Sequence, residues 1–242
     1  MPSQPHLQVD DGDVNDLVLL PGDPGRVDRI AGRCTDAETV ARNREYKVVN
    51  ANYEGRELSI CSTGIGCPSA TIAIEELARA GVETAIRVGT TGALQEEVGI
   101  GDLVVATGAA KQEGTTRRYE PVEFPAVPDH GVLSALVSAA EGGDGPAHVG
   151  PIVSDDAFYF EREPGLDAWE EAGLLAVEME AAALFTLARR RGLAAGAICA
   201  ADGNLVAGTQ KGTGDDEAEL PEEASDGVGR AIGAALEAAT EL

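Results

Sequence analysis

The chain alternates short β-rich runs, which stop in glycine-containing turns, with longer stretches of helical period, and this alternation restricts its fold more than any other feature. Asp16-Leu17-Val18-Leu19-Leu20 runs into Pro-Gly-Asp-Pro, Glu57 to Ser62 closes in Thr-Gly-Ile-Gly, and Thr84 to Val88 leads into Gly-Thr-Thr-Gly. Leu103 to Ala106, Val149 to Val153, Leu174 to Val177 and Ala195 to Ala200 read as further strands. Pro68 opens a helix whose apolar face carries Ile72, Ile74, Leu77 and Ala78 and which ends near Gly81. Further helices are expected over 130–140, 166–172, 179–191 and 221–240. The pattern predicts an α/β fold, a mixed and largely parallel sheet with helices on both faces. The loop Glu141 to Pro146 is too short to separate domains, so a single domain is expected over residues 1–242, with Lys211 to Ser225 as an acidic surface loop or helix lead-in.

Hydrophobic residues make up 43% of the chain, which suits a buried core and excludes a disordered chain. No apolar run approaches the roughly 20 residues that cross a bilayer, and the N-terminus lacks the basic start and apolar stretch of a signal peptide, so a cytoplasmic location is expected. Asp and Glu total 42 against 18 Lys and Arg, a net charge of −24, and the only lysines are Lys47, Lys111 and Lys211. Such a surface repels nucleic acid and anionic membranes, and neither is expected as a partner. Any phosphate site must gather arginines locally against this field. Cys34, Cys61, Cys67 and Cys199 form no C-x-x-C pair and no zinc spacing, and read as small buried hydrophobes.

Glycine-rich turns that follow strands expose backbone N–H groups to an anion. In Pro21-Gly22-Asp23-Pro24-Gly25-Arg26 the arginine adds an always-charged donor fork, although the same residues also make an ordinary turn. In Arg87-Val88-Gly89-Thr90-Thr91-Gly92 an arginine sits inside an apolar strand, where it must find an anion, either a structural acid or a phosphate. Glu178-Met179-Glu180 places two carboxylates at the start of a helix that ends in Arg189-Arg190-Arg191. That polarity matches the helix macrodipole, and it also suits a carboxylate that accepts hydrogen bonds from two vicinal hydroxyls of a ribose.

Together these stretches resemble the nucleoside phosphorylase family that contains uridine phosphorylase and the hexameric purine nucleoside phosphorylases. Pro21-Gly-Asp-Pro-Gly-Arg26, Cys61-Ser-Thr-Gly-Ile-Gly66, Arg87-Val-Gly-Thr-Thr-Gly-Ala93, Glu123-Phe-Pro-Ala126 and Val177-Glu-Met-Glu-Ala181 follow the family's order. The resemblance implies a three-layer sandwich around a mixed, partly barrel-like central sheet. It implies phosphate binding by Gly22, Arg26, Arg87 and Thr90, with Arg44 reaching the phosphate of a neighbouring subunit. His6 is implied at the neighbour's ribose, and Glu178, Met179 and Glu180 at the ribose of their own site, with Arg87 and Glu180 as the catalytic pair. Shared sites of this kind imply a homo-oligomer built from dimers, a hexamer in the family's usual form. Phosphate is then a co-substrate, no organic cofactor or divalent metal is needed, and a potassium ion is implied near Glu45, Ile65 and Ser69.

The base pocket fits the family less closely. Phe158 in Asp156-Ala-Phe-Tyr159 resembles the stacking residue, but the glutamine that precedes the uracil-reading arginine is absent, and Arg162 aligns with that arginine only across a short deletion. Purine enzymes of the family carry a catalytic aspartate after the last core strand, where Asn204 aligns here, with Asp202 two residues earlier. The opening motifs and Thr90-Thr91-Gly-Ala-Leu-Gln95 favour uridine over guanosine or inosine. A nucleosidase of the same fold would not need Arg26, Arg44 and Arg87, and a non-catalytic nucleoside sensor would not need an intact Glu180 beside them.

Excess acid and scarce lysine resemble proteins of salt-loving organisms, in which molar salt shortens the screening length to about 3 Å. Folding is therefore expected to depend on salt. Circular dichroism along a potassium chloride series should show loss of structure in dilute buffer, and full stability there would count against this reading.

Overall fold

The computed structural model describes residues 4–159, 163–209 and 221–242. In chain order the elements are β1 (Leu17–Leu20), α1 (Pro24–Ala31), β2 (Thr35–Asn43), β3 (Tyr46–Tyr53), β4 (Arg56–Cys61), α2 (Cys67–Arg79), β5 (Thr84–Ala93), β6 (Leu103–Lys111), α3 (His130–Gly142), β7 (Ala147–Ser154), α4 (Glu163–Glu171), β8 (Ala176–Glu178), α5 (Ala181–Arg191), β9 (Ala194–Asn204) and α6 (Glu222–Thr240). The strands form one sheet in the order β2-β3-β4-β1-β5-β8-β7-β6-β9, and β9 returns to pair with β5. Thus β5, β8, β7, β6 and β9 close into a barrel, and β1 to β4 extend from it as an open wing. The pairs β1–β4, β1–β5, β5–β9, β6–β7 and β7–β8 are parallel, and the rest are antiparallel.

Alternation along the strands builds the layers. In β1, Val18 and Leu20 face one core while Leu17 and Leu19 face another; in β6, Val104 and Ala106 separate in the same way from Leu103 and Val105. The first core packs α2 and α5 through Ala70, Ile74, Leu77, Leu184 and Phe185. The second packs α1, α3 and α6 through Val27, Ile30, Leu136, Val228 and Ile232. This is the expected three-layer arrangement around a mixed, partly closed sheet. Of the stretch expected as an acidic loop, residues 211–220 lie outside the described residues, and α6 begins at Glu222.

Three elements, α1, β2 and β3, have no counterpart among those expected, and two of them have a clear physical reason. The Pro-Gly-Asp-Pro turn is followed at once by α1, with Asp23 as N-cap: its carboxylate accepts from Gly25 N at 3.0 Å and Arg26 N at 3.1 Å. Strand β2 lies at the sheet edge and is exposed at most positions, so it carries no apolar alternation that would announce it. All four cysteines are free thiols; Cys61, Cys67 and Cys199 are buried, as expected of small hydrophobes, and burial pushes the Cys61 and Cys199 thiols up to about 12. Among the described residues no helix is long and apolar enough to cross a membrane, and no group of three or more His, Cys, Asp or Glu is placed to hold a metal ion.

Helix α6 crosses the turn before β6 so closely that only glycine fits. A Cβ on Gly227 would stand 2.3 Å from the carbonyl oxygen of Gly101 and 2.6 Å from its Cα. Alanine in a helix interior is favoured over glycine by about 1 kcal/mol, whereas overpacking against backbone costs about 1–3 kcal/mol. Gly227→Ala is therefore expected to destabilise the fold on balance, by up to about 2 kcal/mol in denaturant titration at high salt. A stabilised variant would show that α6 can shift away from the sheet.

Candidate active site

A cavity of about 600 Å³ opens where β1, β5 and β9 end, walled by Gly22, Arg26, Arg87, Thr90, Glu178, Met179, Glu180, Phe158, Asp202 and residues of α4. Its position beyond the carboxyl ends of parallel strands is where open α/β sheets bind ligands. Its size lies within the roughly 300–1,000 Å³ of small-molecule pockets.

The cavity is organised by Arg87, which is 6% exposed. Its Nε donates to Glu178 Oε2 at 2.7 Å, and its Nη2 is paired with Glu180 Oε2. Burial opposes charge on this guanidinium, but Glu180 and Glu178 outweigh burial and hold its pKa above the ordinary arginine range. Gly89 gives the side chain room to fold back over its own strand, since a Cβ there would lie 2.9 Å from Arg87 Nη2. The structural acid thus exists, and the arginine still lines the cavity beside Thr90, so the two readings of Arg87 are not exclusive.

Glu178 is saturated. Besides Arg87, its carboxylate accepts the Ser154 hydroxyl and the N–H groups of Glu180 and Ala181, both at 2.9 Å to Oε2. It caps the N-terminus of α5, which is why that helix starts at Ala181 and not at 179 as expected. With its oxygens so engaged, Glu178 orients Arg87. Glu180 Oε1 accepts from Gly66 N at 2.5 Å at the start of α2. Burial raises the Glu180 pKa, and Arg87 offsets this only in part.

Arg26 stands opposite. Its Nη1 donates to Val88 O at 3.3 Å, and among the described residues no carboxylate pairs with it within ion-pair distance. Burial and then the charge of Arg87 lower its pKa. Two guanidinium groups that repel each other across a cavity are a receptor for a polyvalent anion. Gly22 completes this end: its turn is stitched to the Cys61–Gly66 turn by Thr63 N to Pro21 O at 2.9 Å and Gly64 N to Gly22 O at 3.0 Å.

The aligned residues after the last core strand part company. Asn204 is buried, and its Nδ2 donates to Gln95 O at 2.9 Å and Val98 O at 3.0 Å. It does not line the cavity, which corrects the expectation that placed it at the base. The ladder between β5 and β9 pairs Thr91 with Ala201 and Gly92 with Gly203, so Asp202 is the extra residue of a β-bulge, and it lines the cavity.

Phe158 lines the cavity, 45% exposed and edge-on to Tyr159 at 5.0 Å, and Arg162 lies outside the described residues. Sequence reasoning missed Leu166 and Trp169, which α4 contributes to the wall; the lone tryptophan in the expected helix was the available signal. Glu45, Ile65 and Ser69 do meet at the cavity, with Ser69 Oγ donating to Glu45 Oε1 at 3.2 Å and to Thr63 O at 2.6 Å. His6 and Arg44 do not line it. They sit together at the β2–β3 turn, where Asn43 Nδ2 donates to His6 O at 2.7 Å, His6 Nδ1 bonds Glu76 Oε1 at 2.7 Å and Arg44 is exposed.

Comparison with known proteins agrees with this geometry. A guanosine phosphorylase of Halorubrum lacusprofundi is 64% identical over 242 residues and covers all of both chains. A uridine phosphorylase of Thermococcus kodakarensis is 44% identical over 230 residues, 90% of this chain and 83% of that one. The crystal structure of uridine phosphorylase from Vibrio fischeri with 6-hydroxy-1-naphthoic acid matches with a TM-score of 0.92 at 35% identity, covering 100% of this chain and 98% of the other. Purine nucleoside phosphorylase from Toxoplasma gondii with immucillin-H matches at 0.91 with 31% identity, over 100% and 96%. Residues 16–241 match the phosphorylase superfamily, and over that nearly complete span the chain belongs to it, as a nucleoside phosphorylase.

Proposed function

We propose that the nucleoside is guanosine, split by inorganic phosphate into ribose 1-phosphate and guanine. The observation that carries this reading is the bulge of β9, which offers the base an acidic side chain, Asp202, while Asn204 is locked into the adjacent loop. The full-length relative named as a guanosine phosphorylase supports it, and moves the preference away from the uridine favoured by sequence motifs alone. Leu166, Trp169 and Phe158 add apolar and aromatic wall for a bicyclic base.

In this reading phosphate binds between Arg26 and Arg87, with Gly22 N–H and the Thr90 hydroxyl as further donors. Glu180, ionised, accepts hydrogen bonds from the ribose hydroxyls and turns C1′ toward the phosphate. A phosphate oxygen bonds to C1′ as the C1′–N9 bond breaks; the bonding pair leaves with the base, and a proton delivered toward N7 from Asp202 neutralises it. Charge develops on the sugar beside a dianion held in place, which is where preorganised electrostatics lower a barrier. His6 and Arg44 are proposed to complete the site of a second copy, in an assembly built from dimers. The Glu45–Ser69 corner is proposed to accept a monovalent cation, and the enzyme to work in a salt-rich cytoplasm.

Four outcomes test this. A panel of guanosine, inosine, adenosine, uridine and thymidine, each with and without phosphate at high potassium chloride, should release base fastest from guanosine and only with phosphate. Preference for uridine would overturn the base assignment, and release without phosphate the reaction. Asp202→Asn should lower kcat on guanosine by about 10²–10⁴-fold, the usual worth of a general acid. Because burial raises the Glu180 pKa and activity needs its carboxylate, the acid limb of kcat/KM should lie above the ordinary Glu value of about 4.3. Arg87→Ala should push that limb to higher pH still, raise KM for phosphate, and destabilise the fold by about 3–5 kcal/mol, since it strands two buried carboxylates. An unmoved limb would mean that Glu180 is not the titrating group.

A further inference from the structure

A second cavity, of about 530 Å³, lies between α1, α3 and α6, away from the catalytic pocket. Arg29, Arg33 and Arg230 line it. Each donates to a backbone carbonyl: Arg29 Nη2 to Ser225 O at 2.7 Å, Arg33 Nη1 to Gly229 O at 2.7 Å, and Arg230 Nη2 to Gly101 O at 2.8 Å. Among the described residues none of the three pairs with a carboxylate within 4.0 Å. Arg230 Nε is buried without a hydrogen-bond partner.

Two of these guanidinium groups converge. A Cβ on Gly229 would lie 3.2 Å from Arg33 Nη2 and 3.4 Å from Arg29 Nη2, so both nitrogens reach one point above a residue with no side chain. Like charges brought together in this way repel unless an anion lies between them. Carboxylates are plentiful in a chain with 42 of them, and Asp144, Asp226 and Glu237 share the cavity wall, yet none closes on either arginine. The formal charge of the lining is therefore balanced, and its attraction for an anion is local to the meeting point over Gly229. Each guanidinium carries five N–H donors and has given one to a carbonyl, which leaves a free edge to grip a phosphoryl group.

We propose that this cavity is a second anion site, which holds a diphosphate group bridged between Arg29 and Arg33. It is distinct from the catalytic phosphate site. Arg26 sits in the first turn of α1 and lines the catalytic pocket, whereas Arg29 in its last turn and Arg33 just beyond its end line the other cavity. The diphosphate is either free pyrophosphate or the diphosphate portion of a nucleotide, which present the same two phosphoryl groups.

Calorimetric titration of the full chain with pyrophosphate, and separately with guanosine diphosphate, tests the site along a potassium chloride series. Pyrophosphate should bind the wild type and the Arg87→Ala variant alike, and at least tenfold more weakly to the doubly substituted Arg29→Gln, Arg33→Gln protein, whose phosphorolysis kcat should be unchanged. Equal affinity for both probes assigns the site to the free anion, and tighter binding of the nucleotide assigns it to a nucleoside diphosphate. Binding that survives Arg29→Gln, Arg33→Gln but is lost with Arg87→Ala places the anion in the catalytic pocket and overturns the proposal, as does no binding to the wild type. Should either variant fail to fold, a wild-type crystal grown with pyrophosphate decides: density over Gly229 supports the site, and density confined to the catalytic pocket rejects it.

Discussion

One buried guanidinium holds this molecule in its working shape. Arg87 could not remain charged in an apolar strand without anions, and Glu178 and Glu180 supply them from the neighbouring strand β8 and the turn that follows it. The consequence reaches beyond the pair. Strand β8 is only three residues long and shares two residue pairs with β5 and two with β7, so its ladder alone is a weak seam. Glu178 strengthens that seam by joining Arg87 of β5, Ser154 of β7 and the first N–H groups of α5. The closure of the barrel and the placement of the site are thus one network, and its members cannot be exchanged singly.

That network also bears on how a protein of net charge −24 would attract the dianion of the proposed reaction. The charge of Arg87 is largely neutralised by its carboxylates, so it acts as a fixed donor more than as a free charge. Arg26 supplies the unneutralised charge, half-buried and with its N–H groups turned to Val88 O and the cavity. At the ionic strength that the surface composition suggests, the field of distant carboxylates is screened within a few ångströms, about 3 Å at 1 M, while the short contacts inside the cavity are screened much less. Local geometry can then dominate a hostile global charge.

The fold was legible because its signals are strong and local. Apolar runs mark seven of the strands, three of them ending in glycine turns, and Pro68 together with the arginine-rich end of α5 marks helices. Strand β2 was not legible, since Thr35 to Val40 is exposed on both faces and its pairing with β3 is decided by hydrogen bonds and not by burial. Helix α1 hid inside a turn motif because its apolar face rests on two residues, Val27 and Ile30. The phosphate end of the site was readable, since arginine in an apolar strand admits few explanations. The saturation of Glu178 was not, because it depends on where Ser154 and the α5 backbone come to lie.

The base end shows why counting along a strand fails at such places. Asp202 and Asn204 are two apart, and in a regular strand both would face the same side. The extra residue in β9 breaks that parity, so Asp202 lines the cavity while the Asn204 side chain is held by the loop at Gln95 and Val98. An alignment by position selects Asn204, whereas the pleat selects Asp202. The bulge thus sets Asp202 at the cavity wall two positions before Asn204, with the reorientation coming from the extra residue and not from a change at 204.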